Sequence, residues 1–317
     1  MPVTAPVKVA TRESYGKALA ELGAERPDIV VLDADLSGST KTRLFAQRFP
    51  ERFFNMGVAE ANMIGTAAGL ASTGLTVFAS SFAMFAVGKA YEQIRQELAL
   101  PVSNVKICAS HAGVTTGEDG ASHQMLEDYA IMRVLPNMRV IVPADGNEAE
   151  QVIRAVADSP GPAYVRLSRL ATPNFLPDDY RFELGRIATL RDGGDVTLCA
   201  TGVCVIHAMQ AAETLAGEGI DARVLNVSSI KPLDVPTLVT AARETGAVLT
   251  VEEHQKAGGM GSAVAEALVD HHPVPMARLG MQDRFGESGN GAQLLEHFGL
   301  TAPAIADAAR ALLQRKA

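Results

Sequence analysis

The sequence predicts an α/β protein with two consecutive domains, each built on a mostly parallel sheet. Short apolar runs alternate with helical patterns along the whole chain, and one break rich in Pro and Asp divides this alternation into two series. Such alternation is typical of right-handed βαβ units. A chain of 317 residues is also long enough for two domains, each with its own core.

The first series predicts five strands and four helices. Continuous apolar runs predict the strands, because strands of a parallel sheet are buried on both faces. Glu148, three residues after Asp145, marks the start of the last helix of this series. An acidic side chain in the first turn stabilises a helix by its interaction with the helix dipole. The predicted strands are Asp28–Asp33, Leu75–Ser80, Val105–Ala109, Arg139–Val142 and Ala163–Leu167, and the helices are Thr11–Gly23, Ala59–Ser72, Met84–Leu98 and Asn147–Ala157.

The break at residues 171–180 is typical of a linker, and a second series follows it. We therefore predict one domain at residues 1–175 and another at residues 185–317. In the second domain the predicted strands are Val196–Ala200, Ala222–Val227, Ala247–Val251 and Met276–Leu279, and the helices are Val203–Ala216, Ser262–Asp270 and Pro303–Gln314.

Composition excludes several classes of function. A net charge of −8 argues against a general nucleic-acid binder, which needs clustered Lys and Arg. The stretch from Ala61 to Gly88 is uncharged, but its four Gly indicate helix, turn, strand and helix rather than a membrane span. Three cysteines without a CxxC pattern and an N-terminus without a long apolar core indicate a cytoplasmic protein with reduced thiols.

The loop at residues 111–124, HAGVTTGEDGASHQ, is the densest candidate site. It follows the predicted strand Val105–Ala109, at the strand end where open α/β sheets bind ligands. Its glycines allow close approach of backbone to a ligand. His111, Asp119 and His123 are able to exchange protons or bind hydroxyl groups, so we expect an enzyme.

Glu60 and two aromatic residues form further candidates, each with two open interpretations. Glu60 opens an otherwise uncharged helix. It either stabilises the helix dipole, or is a buried carboxylate whose apolar surroundings raise its pKa for proton transfer. Phe82 and Phe85, three residues apart, either pack in the core or provide an apolar platform for a flat heterocycle.

Three polar residues at the ends of elements are candidates for an anion site. Arg12, Ser39 and Arg169 are each ordinary surface residues if considered singly. If they converge, the guanidinium groups suit a phosphate or a carboxylate.

Together these segments resemble the C-terminal portion of transketolase. Residues 57–60, GVAE, resemble the family's motif around the glutamate that contacts the thiamine pyrimidine ring. Residues 117–124, GEDGASHQ, closely match its GEDGPTHQ signature, and residues 135–137, LPN, and 143–148, PADGNE, follow in the family's order. The resemblance covers nearly the whole chain, as a pyrimidine-binding domain followed by the family's C-terminal domain.

The resemblance implies a role for each candidate residue. Glu60 would hydrogen-bond the aminopyrimidine of thiamine diphosphate and favour its imino tautomer, and Phe82 and Phe85 would pack against that ring. His111, His123 and Asp119 would contact substrate hydroxyls. The positions that grip the sugar phosphate would be Arg12, Ser39 and Arg169, in residues 10–12 (ATR), 35–39 (DLSGS) and 167–169 (LSR).

Three positions depart from the family pattern. Ala61 stands where the family usually has His, Gly88 replaces an aromatic residue, and Ala112 replaces Asp after His111. Tyr91, one helical turn beyond Gly88, is a candidate substitute for the missing aromatic. These departures leave the substrate preference open.

The resemblance also implies a partner. Full transketolases begin with a domain that carries a GDG…N motif for the metal and the diphosphate, and the sequence contains no such motif. Because Mg²⁺ (or Ca²⁺) neutralises the phosphates of the cofactor, we expect the metal to be held mainly by a separate N-terminal subunit. The expected protein is the C-terminal subunit of a split transketolase in an α2β2 assembly, transferring a two-carbon ketol unit between sugar phosphates of the pentose phosphate pathway.

Three alternatives are weighed against this expectation. The C-terminal half of 1-deoxyxylulose-5-phosphate synthase has a similar loop, but typically GADG at residues 117–120 and no imidazole at His111. The β subunit of 2-oxo acid dehydrogenases generally lacks the whole string at residues 117–124. A non-catalytic regulatory subunit of the same fold would be expected to have lost at least one of Glu60, His111, Asp119 and His123, which are all present.

Overall fold

The computed structural model describes residues 7–316. Their contacts divide them into two compact units. The first unit consists of residues 7–112 and 132–184, and the second consists of residues 113–131 and 185–316. The termini of the predicted domains lie outside the described residues, and the boundaries 1–175 and 185–317 stay a prediction.

Helices and strands alternate through residues 7–184. The strands are β1 (Lys8–Val9), β2 (Ile29–Asp33), β3 (Phe53–Asn55), β4 (Thr76–Ser80), β5 (Val105–Ala109), β6 (Arg139–Ile141), β7 (Ala163–Arg166) and β8 (Thr172–Pro173). The helices are α1 (Thr11–Glu25), α2 (Ser37–Thr40), α3 (Arg43–Arg48), α4 (Glu60–Ser72), α5 (Tyr91–Gln93), α6 (Asp128–Arg133) and α7 (Gly146–Asp158). Short 3-10 turns lie at Pro50–Arg52 and Val114–Asp119.

The same alternation continues to the C-terminus. The strands are β9 (Ala188–Arg191), β10 (Val196–Ala200), β11 (Ala222–Asn226), β12 (Ser229–Lys231), β13 (Val248–Gln255) and β14 (Met276–Met281). The helices are α8 (Cys204–Ala216), α9 (Val235–Thr245), α10 (Met260–His271), α11 (Gly291–His297) and α12 (Ala302–Leu313). No helix among residues 7–316 is long and apolar enough to cross a membrane.

The first unit contains a parallel sheet with a change in the direction of its connections. Its strands lie in the order β6–β7–β5–β4–β2–β3, and each neighbouring pair is parallel. The chain leaves β2 toward β3 on one side, then returns to β4 on the other side and continues to β5. Open α/β sheets bind ligands outside the carboxyl ends of the strands at such a switch point, here between β2 and β4.

Apolar side chains explain why this sheet forms. All residues of β2, β4, β5 and β7 are buried, as expected for strands covered on both faces. Helix α1 packs against α3 and α7, and its Tyr15 side chain is fully buried in the core with Phe45 and Phe78. Gly23 permits the close packing of α1 and α3, because a Cβ there would meet the Phe45 and Phe49 rings.

The second unit has its own sheet, in the order β14–β13–β10–β11–β9. All neighbouring pairs are parallel except β11 and β9. The predicted fold class, two α/β domains with mostly parallel sheets, is confirmed. Helix α9 was not among the predicted elements, although Asp234, whose side chain caps it, and Pro236 in its first turn are start signals that the sequence offered.

Two predicted segments differ from the structure. The helix predicted at Met84–Leu98 is divided into wide π turns at Met84–Lys89 and Ile94–Ala99 and the short α5, because Ala90 leaves helical geometry. The predicted linker at residues 171–180 is an ordered strap on α7. There Asp145 accepts hydrogen bonds from the Phe175 and Leu176 N–H groups, both at 2.9 Å.

Candidate active site

The switch point of the first sheet gathers most of the candidate residues. Ser39 follows β2, Phe82 follows β4, and His111 follows β5. Because these strands are parallel neighbours or next neighbours in the sheet, their carboxyl ends share one edge. The crevice at this edge is the candidate site of the first unit.

Glu60 is a buried carboxylate at the first position of α4. Gly57, with φ of +68°, turns the chain between β3 and this helix, a conformation that glycine adopts without strain. Glu60 is 3% exposed, so it combines the position at the helix N-terminus and the burial that the sequence left as alternatives. Its Oε1 lies 3.5 Å from the Ser81 hydroxyl and its Oε2 lies 3.4 Å from Lys89 Nζ.

Two phenylalanines lie on the loop and the wide turn behind β4. The Phe82 and Phe85 rings are stacked with centroids 6.0 Å apart, and Phe82 also stacks on the His111 imidazole at 3.7 Å between centroids. Lys89 Nζ lies 4.8 Å from the Phe85 centroid, which is within cation–π distance. Aromatic faces and the Glu60 carboxylate are therefore linked through Lys89.

The hydrogen bonds of His111 define its tautomer. Arg12 Nη1 lies 3.2 Å from His111 Nε2, and a guanidinium group donates only. Nε2 is therefore the unprotonated acceptor, and Nδ1–H donates to the Ser110 hydroxyl at 2.8 Å. Because both ring nitrogens are engaged in this way, His111 is a neutral imidazole in this arrangement.

Arg12 connects His111 to the loop behind β2. The same Nη1 donates to the Ser39 carbonyl at 2.9 Å. Burial lowers the pKa of Arg12; the charge of Glu13 raises it, and the positive charge of Arg169 lowers it further. The positive charge of Arg169 thus acts on Arg12, and two positive charges that act on one another favour the binding of an anion.

Asp33 fixes the loop that carries Ser39. The last residue of β2 is fully buried, and its carboxylate accepts hydrogen bonds from the Leu36 N–H at 2.6 Å, the Thr40 hydroxyl at 2.7 Å and the Thr42 hydroxyl at 2.9 Å. Burial raises the pKa of Asp33, and the Thr40 hydroxyl opposes that rise.

The remaining candidates, Asp119 and His123, belong to the second unit. Asp119 ends the 3-10 turn Val114–Asp119 and is exposed, whereas His123 is half-buried with Nδ1 at 2.9 Å from the Ser122 hydroxyl. The Gln124 side-chain amide donates to the carbonyls of Val114 and Gly117 at 3.2 and 3.1 Å. These two bonds close the loop on itself.

Sequence reasoning missed several residues around these candidates. Asp33, Ser81, Lys89 and Ser110 each contact a predicted site residue or its loop. Asp33 and Ser110 stand directly at strand ends, which was the available signal. The residues that depart from the family pattern differ in their burial. Ala61 and Gly88 are exposed and Ala112 is buried, while Tyr91, the candidate substitute for the missing aromatic, is half-buried.

The fold and this crevice define a class of protein: two consecutive α/β units, the first of which gathers polar and aromatic side chains at the switch point of its sheet. A family model described as "Transketolase, pyrimidine binding domain" matches residues 7–174, and one described as "Transketolase, C-terminal domain" matches residues 185–305. The chain belongs to the transketolase family, and this membership implies dependence on thiamine diphosphate.

Three known proteins illustrate the relationship. A putative transketolase C-terminal section of Methanocaldococcus jannaschii is 50% identical over 93% of this chain and 93% of that protein. A 6-deoxy-6-sulfo-D-fructose transketolase subunit of Clostridium sp. (strain MSTE9) is 42% identical over 96% of this chain and 95% of that protein. A solved structure described as a split gene transketolase, inactive β4 tetramer, is 52% identical with a TM-score of 0.91, and the match covers 98% of this chain and 100% of that one.

The residues of the crevice fit the pyrimidine half of that cofactor. The ring of an aminopyrimidine is flat and carries nitrogen atoms at its edge. The Phe82 and Phe85 rings offer flat apolar surface, and Glu60, 3% exposed, offers a buried carboxylate for a ring nitrogen. Lys89 Nζ lies against both Glu60 and Phe85, and its side chain is 52% exposed, so it is able to move into solvent.

Proposed function

We propose that the chain is the C-terminal subunit of a split, thiamine diphosphate-dependent transketolase that transfers a two-carbon ketol unit from a ketose phosphate to an aldose phosphate. The observation that carries this proposal is the buried Glu60 paired with Lys89, whose ammonium also lies over the Phe85 ring that stacks on Phe82. When bound, thiamine diphosphate supplies the carbon nucleophile of this chemistry.

Glu60 is proposed to hold the proton at the pyrimidine ring nitrogen, and Phe82 and Phe85 to pack on the ring. A buried carboxylate suits this role, because water does not compete for its hydrogen bond. His111, His123 and Asp119 are proposed to contact substrate hydroxyls. The neutral state of His111, inferred from its bonds to Arg12 and Ser110, allows it to accept as well as donate a proton.

The substrate phosphate is proposed to bind at Arg12, Ser39 and Arg169. The two guanidinium groups supply charge, and the bond from Arg12 to the Ser39 carbonyl holds the side chain in place. A sulfonate carries a similar tetrahedral anion, and the related Clostridium subunit is named for a sulfo sugar. Xylulose 5-phosphate is therefore one candidate donor and a 6-sulfo ketose is another.

The partner is proposed to be an N-terminal transketolase subunit that carries the GDG…N motif and most of the ligands of Mg²⁺ (or Ca²⁺). The names of the relatives, a C-terminal section and a subunit, support this proposal. The split-gene relative described as an inactive tetramer of β chains supports the further proposal that this chain is inactive alone. The domain boundaries 1–175 and 185–317 and the cytoplasmic location are part of the same proposal.

The test is reconstitution. The purified chain is assayed for ketol transfer from xylulose 5-phosphate to ribose 5-phosphate, first alone and then with the N-terminal subunit, thiamine diphosphate and Mg²⁺. We expect activity only in the complete mixture, because the diphosphate and metal ligands come from the partner. Full activity of the single chain would refute the split-subunit proposal, and an inactive complete mixture with every donor tried would refute the reaction.

A further inference from the structure

The loop that carries Asp119 and His123 is held by the end of an interior strand of the second unit's sheet. Strand β13 is an interior strand of the second unit's sheet, between β14 and β10, and its last three residues, Glu253, His254 and Gln255, each contact segment 113–131. The Gln255 N–H donates to the Leu126 carbonyl at 2.8 Å. The His254 ring, fully buried, stacks on Tyr129 at 4.6 Å between centroids.

Glu253 makes the contact that lies nearest to the start of the loop. Its side chain is 2% exposed, and its Oε1 accepts the Thr115 N–H at 2.5 Å. Thr115 lies in the first turn of the segment Val114–Asp119 and is itself buried. A buried backbone N–H requires an acceptor, and the Glu253 carboxylate is the acceptor of this one.

Gly113 shows how closely the backbone follows this carboxylate. With φ of +80° it adopts a left-handed conformation, and a Cβ at this position would overlap the Glu253 carboxyl group. The chain therefore bends around Glu253 before it enters the turn that ends at Asp119. The other end of the loop is closed by Gln124, whose amide also donates to the Glu287 carbonyl at 2.8 Å.

We propose that Glu253 is a positioning residue for the substrate loop 113–124: it acts through the Thr115 N–H and sets the place of Asp119 and His123 without touching the substrate. This inference rests on the proposed function, because those two residues are proposed to contact the sugar. The proposal assigns a role in positioning the substrate loop to a residue of β13. The family motifs at residues 57–60 and 117–124 include no residue of that strand.

Variants of Glu253 distinguish the effect of its acceptor oxygen from the effect of the rest of the side chain. In Glu253→Ala and Glu253→Asp, the oxygen near Thr115 is removed or withdrawn by one methylene. In Glu253→Gln, a carbonyl oxygen of the same reach remains. Glu252→Ala is the matched control. Glu252 is the adjacent buried glutamate, it faces the opposite side of the strand, and its carboxylate accepts the Met260 and Gly261 N–H groups at the start of α10.

The first measurement is amide hydrogen exchange on the full chain, which needs no activity. Exchange over residues 113–124 is expected to accelerate about tenfold or more in Glu253→Ala and Glu253→Asp, and less than about threefold in Glu253→Gln, because a buried N–H without an acceptor opens more readily. Glu252→Ala is expected to accelerate exchange at the start of α10 instead. Unchanged exchange over 113–124 in both Glu253→Ala and Glu253→Asp would overturn the inference.

The second measurement uses the assembled enzyme with its partner, thiamine diphosphate and Mg²⁺. In Glu253→Asp, kcat/KM for xylulose 5-phosphate is expected to fall by about tenfold to a hundredfold, with Glu253→Gln close to the unmodified enzyme. The concentration of thiamine diphosphate that gives half activity is expected to stay the same, which a general loss of structure would not allow. Equal losses in Glu253→Gln and Glu253→Asp would overturn the role of the acceptor oxygen.

The two measurements keep this inference distinct from the proposed function. If the unmodified assembly shows no ketol transfer while exchange over residues 113–124 responds to Glu253 as expected, the proposed function is wrong and the anchoring of the loop stands. If the unmodified assembly is active and Glu253→Ala and Glu253→Asp match it in kcat/KM, the proposed function stands and Glu253 has no positioning role.

Discussion

Glu60 illustrates how folding determines the chemical environment of a single residue of the candidate site. At position 60 the sequence supplies only a carboxylate in front of an uncharged helix, which suits a helix dipole as well as a proton relay. The structure buries it to 3% exposure and places the Ser81 hydroxyl and Lys89 Nζ beside its carboxylate, and Lys89 in turn lies over the Phe85 ring. These neighbours come from the loop and the wide turn behind β4, which only folding brings near Glu60.

Glu60→Gln is predicted to leave folding intact and to lower turnover by about a hundredfold or more, because the amide cannot exchange a proton with the pyrimidine nitrogen. Turnover of the reconstituted enzyme and the thermal unfolding midpoint of the chain check both parts. Glu51→Gln, at an exposed glutamate, is the control and is expected to match the unmodified enzyme. Near-normal turnover of Glu60→Gln would contradict the assigned role.

Arg12→Lys tests the proposed phosphate site. Lysine offers one compact charge in place of a planar fork, so the bonds that Arg12 makes to Ser39 and His111 are not both replaced. We expect KM for ribose 5-phosphate to rise by about tenfold, with little change for unphosphorylated ribose at high concentration. Steady-state kinetics with both acceptors provide the measurement, and Arg43→Lys, at an exposed residue, is the control. Equal effects on both acceptors would exclude a phosphate contact.

At the scale of elements, side chains at the ends of strands and helices hold the irregular segments in place. Asp33 organises the loop behind β2 through Thr40 and Thr42. Asp145 accepts the Glu148 N–H at the start of α7 and two N–H groups of the strap at residues 171–180. The segment that composition predicted as a linker is therefore an ordered part of the first unit.

Asp145→Ala is predicted to lower the free energy of unfolding by about 2–4 kcal/mol, since a helix cap and two further N–H acceptors are lost together. Urea denaturation of the full chain measures the change. Asp145→Asn is expected to give an intermediate loss, because one oxygen still caps α7 while the amide NH2 no longer accepts the Phe175 and Leu176 N–H groups. Exposed Asp178 provides the control variant Asp178→Ala, with a change below about 0.5 kcal/mol. A small effect of Asp145→Ala would show that the strap is not held by this residue.

Lys106 on β5 predicts a pH dependence of stability. Its ammonium donates to Asn104 and to the Ser159 and Gly161 carbonyls, yet burial lowers the pKa of Lys106 to about 7. Between pH 7 and the ordinary lysine range, the unfolded chain holds this proton more firmly than the folded chain, so folding becomes more favourable as pH rises.

The measurement for Lys106 is the free energy of unfolding between pH 7 and pH 9. Relative to Lys106→Met, which cannot titrate, the unmodified chain is expected to gain up to about 1.4 kcal/mol per pH unit. Below pH 7 both states hold the proton, and the two curves are expected to run parallel. Parallel curves across the whole range would contradict the lowered pKa.

At the scale of the whole molecule, two α/β units of the same general design carry different parts of the proposed chemistry. The first unit carries Glu60, Phe82, Phe85, His111 and the Arg12 site, and the second carries the loop with Asp119 and His123. Three free cysteines are buried within them.

Native mass spectrometry of the chain with its partner is predicted to give an α2β2 species, and a stable complex of other stoichiometry would contradict that assembly.

The sequence alone determined the fold class, most of the strands and helices, and the family. These features depend on local periodicity and on short motifs such as residues 117–124, which folding does not alter. The tertiary structure decided which side chains surround each candidate. The contacts of Lys89 with Glu60, Arg12 with His111, and Glu253 with Thr115 join residues 29, 99 and 138 positions apart, and no local pattern in a chain encodes such distances.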